Sequence, residues 1–567
     1  MTRLRDAAVP ALVAAVLALA APASAAVIAE PPQPSVAPAA VSAGSGPVSV
    51  AVVVPLTAPP TATGVLDAET LAAYTEQGGI LDRQLDAVAG TRAAIALDPM
   101  IPASIRLLGS AAPPEALLYL QRLRALPNET FLLEYADADP AVAVLAGATA
   151  ELSPLGFGSL LDPGDFGPAV TPAPTPSLSP SPGPTEQADP GDPPPLPTTE
   201  DLLEWPTTLP HIAWPQEGTV TADGLAGLAA LGYEDVLLGA GNLPDSTSAL
   251  VDTGDIAALA IDDAVSGALR DASFAATDTA YAAAAVTLDA ALTSAQITSP
   301  GRTIVATLDR RWPFGTLRLP DALGAIELSA AAQLVSLSAV LEGPSVPASL
   351  IPTDAGAVVT RGAALGELAN AAREEQGFLA IAEGPRHITE PRRLALLGLS
   401  SVGWRSDEAG WTEALAAELA EAQATLDAVQ IADGSDQLLL SDVSSLKLQV
   451  SNALPVPVTV LLTVRPLQPL LHVEDPSVEV TIEPDSTSSA SVPVQSITNG
   501  EVTVRAELHS AGGASVGTPR FLKVILQAGW ETFGTVVAGG LIVLVFGGGL
   551  VRSILRRRRE QTADADD

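Results

Sequence analysis

Apolar residues follow two different patterns along the chain, and the pattern changes near residue 436. Up to about residue 435, short continuous apolar runs alternate with longer stretches of helical periodicity. The runs VSVAVVVPL (48–56), AAIALDP (93–99) and ETFLLEYAD (129–137) are typical of strands buried on both faces. Strands that alternate with helices in this way predict parallel βαβ units with right-handed crossovers.

A segment rich in proline and small polar residues interrupts this alternation between residues 162 and 210. It offers too little apolar surface for a core, so we predict a disordered linker or insertion. The α/β pattern returns in residues 211–435. Two interpretations stay open: residues 46–161 and 211–435 form one (β/α) barrel-like domain around the insertion, or they form two separate α/β domains.

Residues 437–527 alternate apolar and polar side chains with a period of two, as in VPVTVLLTV (456–464). Turn signals such as Asn499-Gly500 separate the short runs. This pattern predicts an immunoglobulin-like β-sandwich. The predicted fold is therefore multidomain, with an α/β part followed by an all-β part.

Both ends of the chain carry apolar segments that predict export and anchoring. A basic start, a short apolar run and Ala23-Ser24-Ala25 predict a secretory signal peptide over residues 1–25. Residues 533–551 contain no charged side chain, and their length suits one transmembrane helix. The arginine-rich sequence that follows predicts a cytoplasmic tail (552–567) and an extracytoplasmic body. We therefore expect a single-pass protein of the cell membrane.

Composition excludes several classes of function. The formal net charge is −37, which disfavours nucleic acid as a partner because phosphate binding needs a basic surface. The chain has no cysteine, and no two of its four histidines lie close in sequence. We expect no metal and no cofactor, since a Lewis-acid site needs several converging ligands.

Several motifs, in their order along the chain, resemble an uncharacterised actinobacterial family of exported, single-span proteins, domain of unknown function 6049. The motifs are ALDPMI (96–101), LPNETFLLEYADADP (126–140), AWPQEG (213–218), DRRWP (309–313), VSNALPVPVTVLL (450–462) and GWETFGTVV (529–537). The resemblance implies a barrel similar to those of glycosidases or polysaccharide deacetylases, followed by an immunoglobulin-like domain. It also implies a role in the cell envelope, because genes of the family often lie beside the lipid II flippase gene. No activity is established for the family.

Polar and aromatic side chains follow the predicted α/β strands, at the ends where βα architectures build their sites. Carboxylates there could form the pair that glycoside hydrolysis needs, and arginine and aromatic side chains suit sugar binding. Asp139, which precedes Pro140, is instead predicted to cap a helix. The candidate ligand-binding residues are Asp98, Glu134, Tyr135, Asp137, Trp214, Glu217, Asp309, Arg310 and Trp312.

Structural roles explain the same side chains, so the sequence assigns no catalytic residue. We expect a membrane-anchored envelope protein that binds a cell-wall glycan or envelope partners without established catalysis. One alternative is an active glycoside hydrolase that uses the strand-end carboxylates. A further alternative is a non-catalytic scaffold for membrane proteins such as the lipid II flippase.

Overall fold

The computed structural model describes residues 46–167, 196–243, 248–310, 312, 317–351, 356–432, 434, 436–527 and 530–563. The predicted signal peptide and residues 168–195 of the predicted linker lie outside these ranges. The described chain consists of an α/β region, a pair of antiparallel-rich sheets and a final long helix.

The α/β region begins with strands and helices in alternation. Its first half contains β1 (Val48–Leu56), α1 (Ala68–Thr75), α2 (Ile80–Val88), β2 (Ala94–Leu97), α3 (Met100–Leu107), α4 (Pro114–Arg124), β3 (Thr130–Leu132), α5 (Pro140–Ala146) and α6 (Thr199–Leu203). Its middle contains β4 (Ile212–Ala213), α7 (Ala222–Ala230), β5 (Asp235–Leu238), β6 (Leu250–Asp252), β7 (Ala257–Ala260), α8 (Asp263–Ser273), α9 (Asp278–Thr298) and β8 (Thr303–Thr307). It ends with α10 (Leu319–Leu328), β9 (Ala332–Leu334), α11 (Leu337–Leu341), β10 (Val346–Pro347), α12 (Gly356–Phe378), α13 (Arg386–Leu399) and α14 (Glu408–Leu426).

The first sheet is built around β1, which the sequence predicts as a fully buried strand. β1 pairs in parallel with β8 along one edge and with β2 and β9 along the other, and β3 lies beyond β2. Side chains of β1 are buried on both faces, in keeping with its continuous apolar run.

The second sheet has the strand order β10-β6-β7-β5-β4, in which β4, β5 and β7 are parallel. Ile261 and Val305 form a parallel bridge that joins it to β8 of the first sheet. On the far side, the backbone amides of Thr208 and Leu209 donate to the carbonyl of Thr130. The two half-barrel sheets share one apolar cluster, to which both contribute: Val53, Ala96, Phe131, Ile212, Leu237, Leu259 and Val305 are among its members.

The all-β part contains two further sheets, of order β11-β13-β17-β15 and β12-β19-β18-β14-β16. Their inward side chains form a single apolar cluster, and alternate residues of each long strand are buried, as the period-two pattern predicts. The strands are β11 (Val429–Ile431), β12 (Gln437–Leu439), β13 (Val443–Asn452), β14 (Val458–Pro466), β15 (Leu471–Val473), β16 (Ser477–Ile482), β17 (Ser486–Ser496), β18 (Gly500–His509) and β19 (Ser515–Leu526).

The last helix, α15 (Trp530–Ala563), contains an apolar stretch from Gly534 to Arg557. At 24 residues and a mean hydropathy of 2.1, this stretch is long and apolar enough to cross a membrane. None of its apolar window is buried against the rest of the chain. This agrees with a single-pass anchor at the position that the sequence indicates.

The predicted linker is ordered on its carboxyl-terminal side. Thr198 and Asp201 form a capping box that starts α6, and Leu202 is buried. The guanidinium of Arg106 donates to the carbonyl of Leu202 at 2.7 Å. Short-range capping and one apolar anchor therefore hold residues that the proline-rich composition assigns to a linker.

The loop after β1 packs directly against α13, the helix that leads to residues 400–406. Gly64 has a φ of +67°, and a Cβ on it would lie 1.9 Å from the carbonyl oxygen of Leu394. Gly398 on the same helix is equally close to the loop, since its Cβ would lie 2.3 Å from the carbonyl oxygen of Thr61. These contacts need glycine because any side chain would push α13 away.

We expect Gly64→Ala to lower the stability of the protein by about 1–3 kcal/mol more than Gly78→Ala, the usual range for overpacking. Gly78 has a similar positive φ of +83° but nothing within 4 Å of its Cβ position. The control therefore carries the backbone strain without the collision. Thermal unfolding of the full chain in detergent gives the comparison, and equal losses would show that α13 is not held by this contact.

Candidate functional site

A polar cleft of about 320 Å³ opens at the carboxyl ends of β4, β5, β7 and β8. The segments that follow these strands supply most of its wall, as parallel βα units require. Residues 402–406, between α13 and α14, complete it. Its polar lining includes Trp214, Gln216, Glu217, Asn242, Asp263, Arg270, Asp309, Arg310 and Arg405.

Two carboxylates approach each other across Gly239, at the end of β5. A Cβ on Gly239 would lie 3.5 Å from Oε1 of Glu217 and 3.6 Å from Oδ1 of Asp263. Both oxygens therefore lie within 4 Å of the same point. Burial, and then the charge of Glu217, raise the pKa of Asp263. The pair can accept hydroxyl hydrogen bonds from one ligand.

Asp309 lies at the other side of the cleft, after β8. Its carboxylate accepts from the guanidinium of Arg270 on α8 at 2.9 Å, and both side chains are partly exposed. An exposed pair of this kind contributes little to stability, so both groups remain available to a ligand.

Arg310 turns away from solvent and forms a buried ion pair. Its Nε donates to both carboxylate oxygens of Asp137 at 2.9 Å, and its Nη2 donates to the carbonyl of Trp214. The guanidinium also lies 4.5 Å from the centroid of the Trp214 ring. Arg310 therefore covers one face of this ring, and the indole is only 8% exposed where it borders the cleft.

Asp98 lies beneath this ion pair and supports an unusual backbone turn. Ala136 and Asp137 have φ values of +60° and +51°, a region that costs a non-glycine residue free energy. Asp98 accepts from the backbone amides of Met100 and Ala136, both at 2.9 Å. Burial, and then the Asp137 carboxylate, raise the pKa of Asp98 to about 8.

Asp139 caps α5, as the sequence predicts. It accepts from the backbone amides of Ala141 at 3.0 Å and Val142 at 3.2 Å. Its second oxygen accepts from the amide of Gln216 at 3.2 Å. The cap therefore also fixes the loop that carries Glu217.

The structure separates the sequence-predicted candidates into three groups. Trp214, Glu217, Asp309 and Arg310 line the cleft, whereas Asp98, Tyr135 and Asp137 are buried and do not line it. Glu134 and Trp312 lie elsewhere. Glu134 accepts from the hydroxyl of Tyr233 next to His211, and the indole of Trp312 donates to the carbonyl of Pro55 at 3.0 Å.

The sequence-based candidates leave out Asp263, Arg270, Asn242 and Arg405, which also line the cleft. Asp263 could have been found from the sequence, because it closely follows the apolar strand run IAALAI (256–261). The other candidates follow predicted strands in the same way. Arg405 could not have been found in this way, since its position depends on the packing of α13. Within the described part of the chain, no group of three His, Asp or Glu side chains is placed to hold a metal ion.

The profile of a family of unknown function, DUF6049, matches residues 35–566. The chain belongs to this family. The match spans the α/β region, the all-β part and the final helix together, so these parts form one family architecture. No curated protein matches the chain.

Solved structures show only distant similarity. The alpha-amylase AmyC from Thermotoga maritima shares 11% identity, and the match covers 67% of this chain and 93% of the amylase with a TM-score of 0.40. Native alpha-2-macroglobulin of E. coli shares 18% identity over 18% of this chain and 7% of its own length, with a TM-score of 0.15. The C. elegans MSP family member WR4 shares 8% identity over 18% of this chain and 98% of its own, with a TM-score of 0.14. Similarities at this level assign no activity to the DUF6049 chain.

We expect Arg310→Met to destabilise the protein by about 3–5 kcal/mol, because it leaves the Asp137 carboxyl buried without its partner. Arg270→Met is the matched control, since it breaks the exposed pair with Asp309 and should cost about 0–1 kcal/mol. Adding Asp137→Asn to Arg310→Met should recover part of the loss. Thermal unfolding of the full chain measures all three variants, and a loss equal to that of the control would contradict the structural role.

Asp98 should make the stability of the protein depend on pH. Because its pKa is about 8 in the folded chain against an ordinary 3.8, folding takes up a proton between these pH values. The stability gained from this proton is fully present below pH 3.8 and is lost as the pH rises through about 8. Asp98→Asn cannot ionise, so its melting temperature relative to the wild type should increase from pH 5 to pH 9. Asp271→Asn, at an exposed position, is the control and should not show this trend. If the melting temperatures of Asp98→Asn and the wild type changed in parallel with pH, the raised pKa of Asp98 would be refuted.

Proposed function

We propose that this DUF6049 chain is a membrane-anchored, extracytoplasmic cell-envelope protein that binds a glycan in the cleft described above. The observation that carries the proposal is the set of carboxylates and guanidiniums that line this cleft. Glu217, Asp263 and Asp309 can accept hydrogen bonds from a ligand there, while Arg270 and Arg405 can donate them. A polyol with many hydroxyl groups matches such alternating acceptors and donors.

The anchoring part of the proposal is supported by the apolar helix and by the sequence at both chain ends. The stretch Gly534–Arg557 suits one membrane span. Its arginine-rich carboxyl-terminal flank favours a cytoplasmic tail, and with that orientation the cleft would lie outside the cell. A glycan of the cell wall is then a ligand that the cleft would meet.

The architecture that we propose for the α/β region is a single (β/α) barrel-like domain. The bridge between Ile261 and Val305, the hydrogen bonds to Thr130 and the shared apolar cluster support one domain over two. For the all-β part we propose an immunoglobulin-like sandwich, supported by its two packed sheets and alternating burial. A cleft at a barrel mouth is where sites of such folds lie.

A second candidate function is glycoside hydrolysis by Glu217 and Asp263. The closeness of both carboxylates to one point above Gly239 favours it, since hydrolysis needs two carboxyl groups on either side of the bond. The raised pKa of Asp263 suits a general acid, and Glu217 would supply the second carboxyl group. The scaffold hypothesis for envelope membrane proteins predicts neither binding nor hydrolysis at this cleft.

Incubating the full chain in detergent with peptidoglycan and arabinogalactan fragments separates these functions. We expect saturable binding without released sugar. We also expect Glu217→Gln to weaken binding by about 10- to 150-fold, because a charged hydrogen bond is worth roughly 1.5–3 kcal/mol and each 1.4 kcal/mol is about tenfold. Glu327→Gln on the exposed side of α10 is the matched control and should bind like the wild type.

Released sugar that disappears in both Glu217→Gln and Asp263→Asn would replace the binding proposal with hydrolysis. Absence of binding to every fragment would favour the scaffold. Binding that is unchanged by both substitutions would place the ligand outside the cleft.

A further inference from the structure

One end of the all-β part exposes a group of large apolar side chains. Each of these side chains is 40–65% exposed, although the neighbouring strand positions are buried in the sandwich core. The group, which we call the apolar end, consists of Leu438, Leu440, Val443, Leu467, Ile497 and Ile525. Single exposed apolar residues are ordinary, whereas a cluster of six at one end marks an interaction surface.

Backbone hydrogen bonds show that these residues lie at the same end. The amide of Gln527 donates to Leu439 at 2.8 Å, and the amide of Ser496 donates to Asp442 at 2.8 Å. The amide of Ile497 donates to Leu470 at 2.9 Å. The loops after β12, β14 and β17 are therefore tied to one another and to the end of β19.

The opposite end of the sandwich differs. Its loops are residues 453–457, 483–485 and 510–514, and none of these described residues is an exposed large apolar side chain. Part of this end is covered by the α/β region, because Ala382 bridges to Val458 and the amide of Glu383 donates to Pro457. One end thus has a covering partner within the chain, and the apolar end has none among the residues that the structure describes.

The chain itself indicates what covers the apolar end. Four residue steps separate Leu526, the last residue of β19, from Trp530, the first residue of α15. They span at most about 14 Å even when fully extended. The apolar stretch starts at Gly534, only four helical residues later, or about 6 Å along the axis. The apolar end is therefore held next to the bilayer whenever α15 spans it.

We propose that the apolar end of the sandwich inserts into the surface of the lipid bilayer. The inference rests on the proposed membrane anchoring and goes beyond it, because it makes the sandwich a second membrane contact and not a free stalk. Leu440, Leu467 and Ile497 at the three loop tips enter the interfacial region, as the apolar side chains of peripheral proteins do.

Charge at this end favours insertion by apolar contact over attraction to anionic lipid. Asp436, Asp442 and Glu501 lie close in sequence or strand register to members of the apolar end, and Lys523 is paired with Glu501 at 3.1 Å. The basic Arg465 precedes Leu467 by two residues, so the acidic groups exceed the basic ones. Acidic groups are repelled by anionic head groups. Neutral phosphatidylcholine should therefore support the contact at least as well as a bilayer that contains phosphatidylserine.

Single-cysteine labelling of the full chain tests the proposal, since the chain contains no native cysteine. Leu440→Cys, Leu467→Cys and Ile497→Cys carry a fluorophore in phosphatidylcholine vesicles with or without spin-labelled lipid. Their fluorescence should fall about twofold or more with the spin label, because interfacial side chains enter to a depth of ~5–10 Å. Ala511→Cys, exposed at the opposite end, is the matched control and should stay unquenched.

Val543→Cys, in the apolar stretch of α15, reports whether the helix is inserted. Quenching at residue 543 but not at the three loop tips would overturn the proposal and leave the anchoring intact. No quenching at residue 543 would refute the anchoring as well. Fluorescence that falls as the protein-to-lipid ratio rises, even in vesicles without spin-labelled lipid, would overturn the proposal and assign the apolar end to contact between copies. With the label at Ile497→Cys, the added changes Leu440→Ser and Leu467→Ser should reduce quenching, and unaltered quenching would show proximity without insertion.

Discussion

The buried ion pair between Asp137 and Arg310 is the interaction on which the shape of the cleft depends. It joins the segment after β3 to the segment after β8, which are 173 residues apart in sequence. Asp137 holds a left-handed backbone conformation that the pair compensates. Arg310 in turn places the Trp214 ring and carbonyl at the cleft wall. Through Trp214, Arg310 also ties the first sheet to the segment after β4 in the second sheet, beside the contact between Asp139 and the amide of Gln216.

Charge balance extends this constraint to a larger group. Asp98, Asp137 and Asp139 are buried together; the Arg310 charge acts on Asp137 and Asp139, and the Arg361 charge acts on Asp139. Three ionised carboxylates against two guanidiniums would leave one uncompensated negative charge, which is costly away from water. Protonation of Asp98 removes this uncompensated charge. The polar support beneath the cleft is thus balanced only when one carboxyl holds a proton.

Continuous apolar runs were sufficient to predict β1, β2 and β3, and the Asp-Pro pair was sufficient to predict the cap of α5, because both signals are local. The direction in which an individual side chain points does not depend on local sequence alone. Leu133 belongs to the cluster between the half-barrel sheets, so its neighbour Glu134 points the other way, towards Tyr233. The sequence around residue 134 offers apolar side chains on both faces and cannot choose between them. Arg405 reaches the cleft only through the packing of α13 against the loop at Gly64, which no short motif encodes.

The position of the sandwich between the α/β region and the helix gives the architecture a defined reach. The α/β region contacts the start of β14 through Ala382, whereas the apolar end lies at the other end of the same strand. β14 has nine residues, so at about 3.4 Å per residue the two contacts are about 30 Å apart. If the apolar end rests on the bilayer, the attachment point of the α/β region stands at most about 30 Å above the surface. A spacer fixed at both ends presents the cleft at a constant distance from the membrane, whereas a flexible linker would let that distance vary.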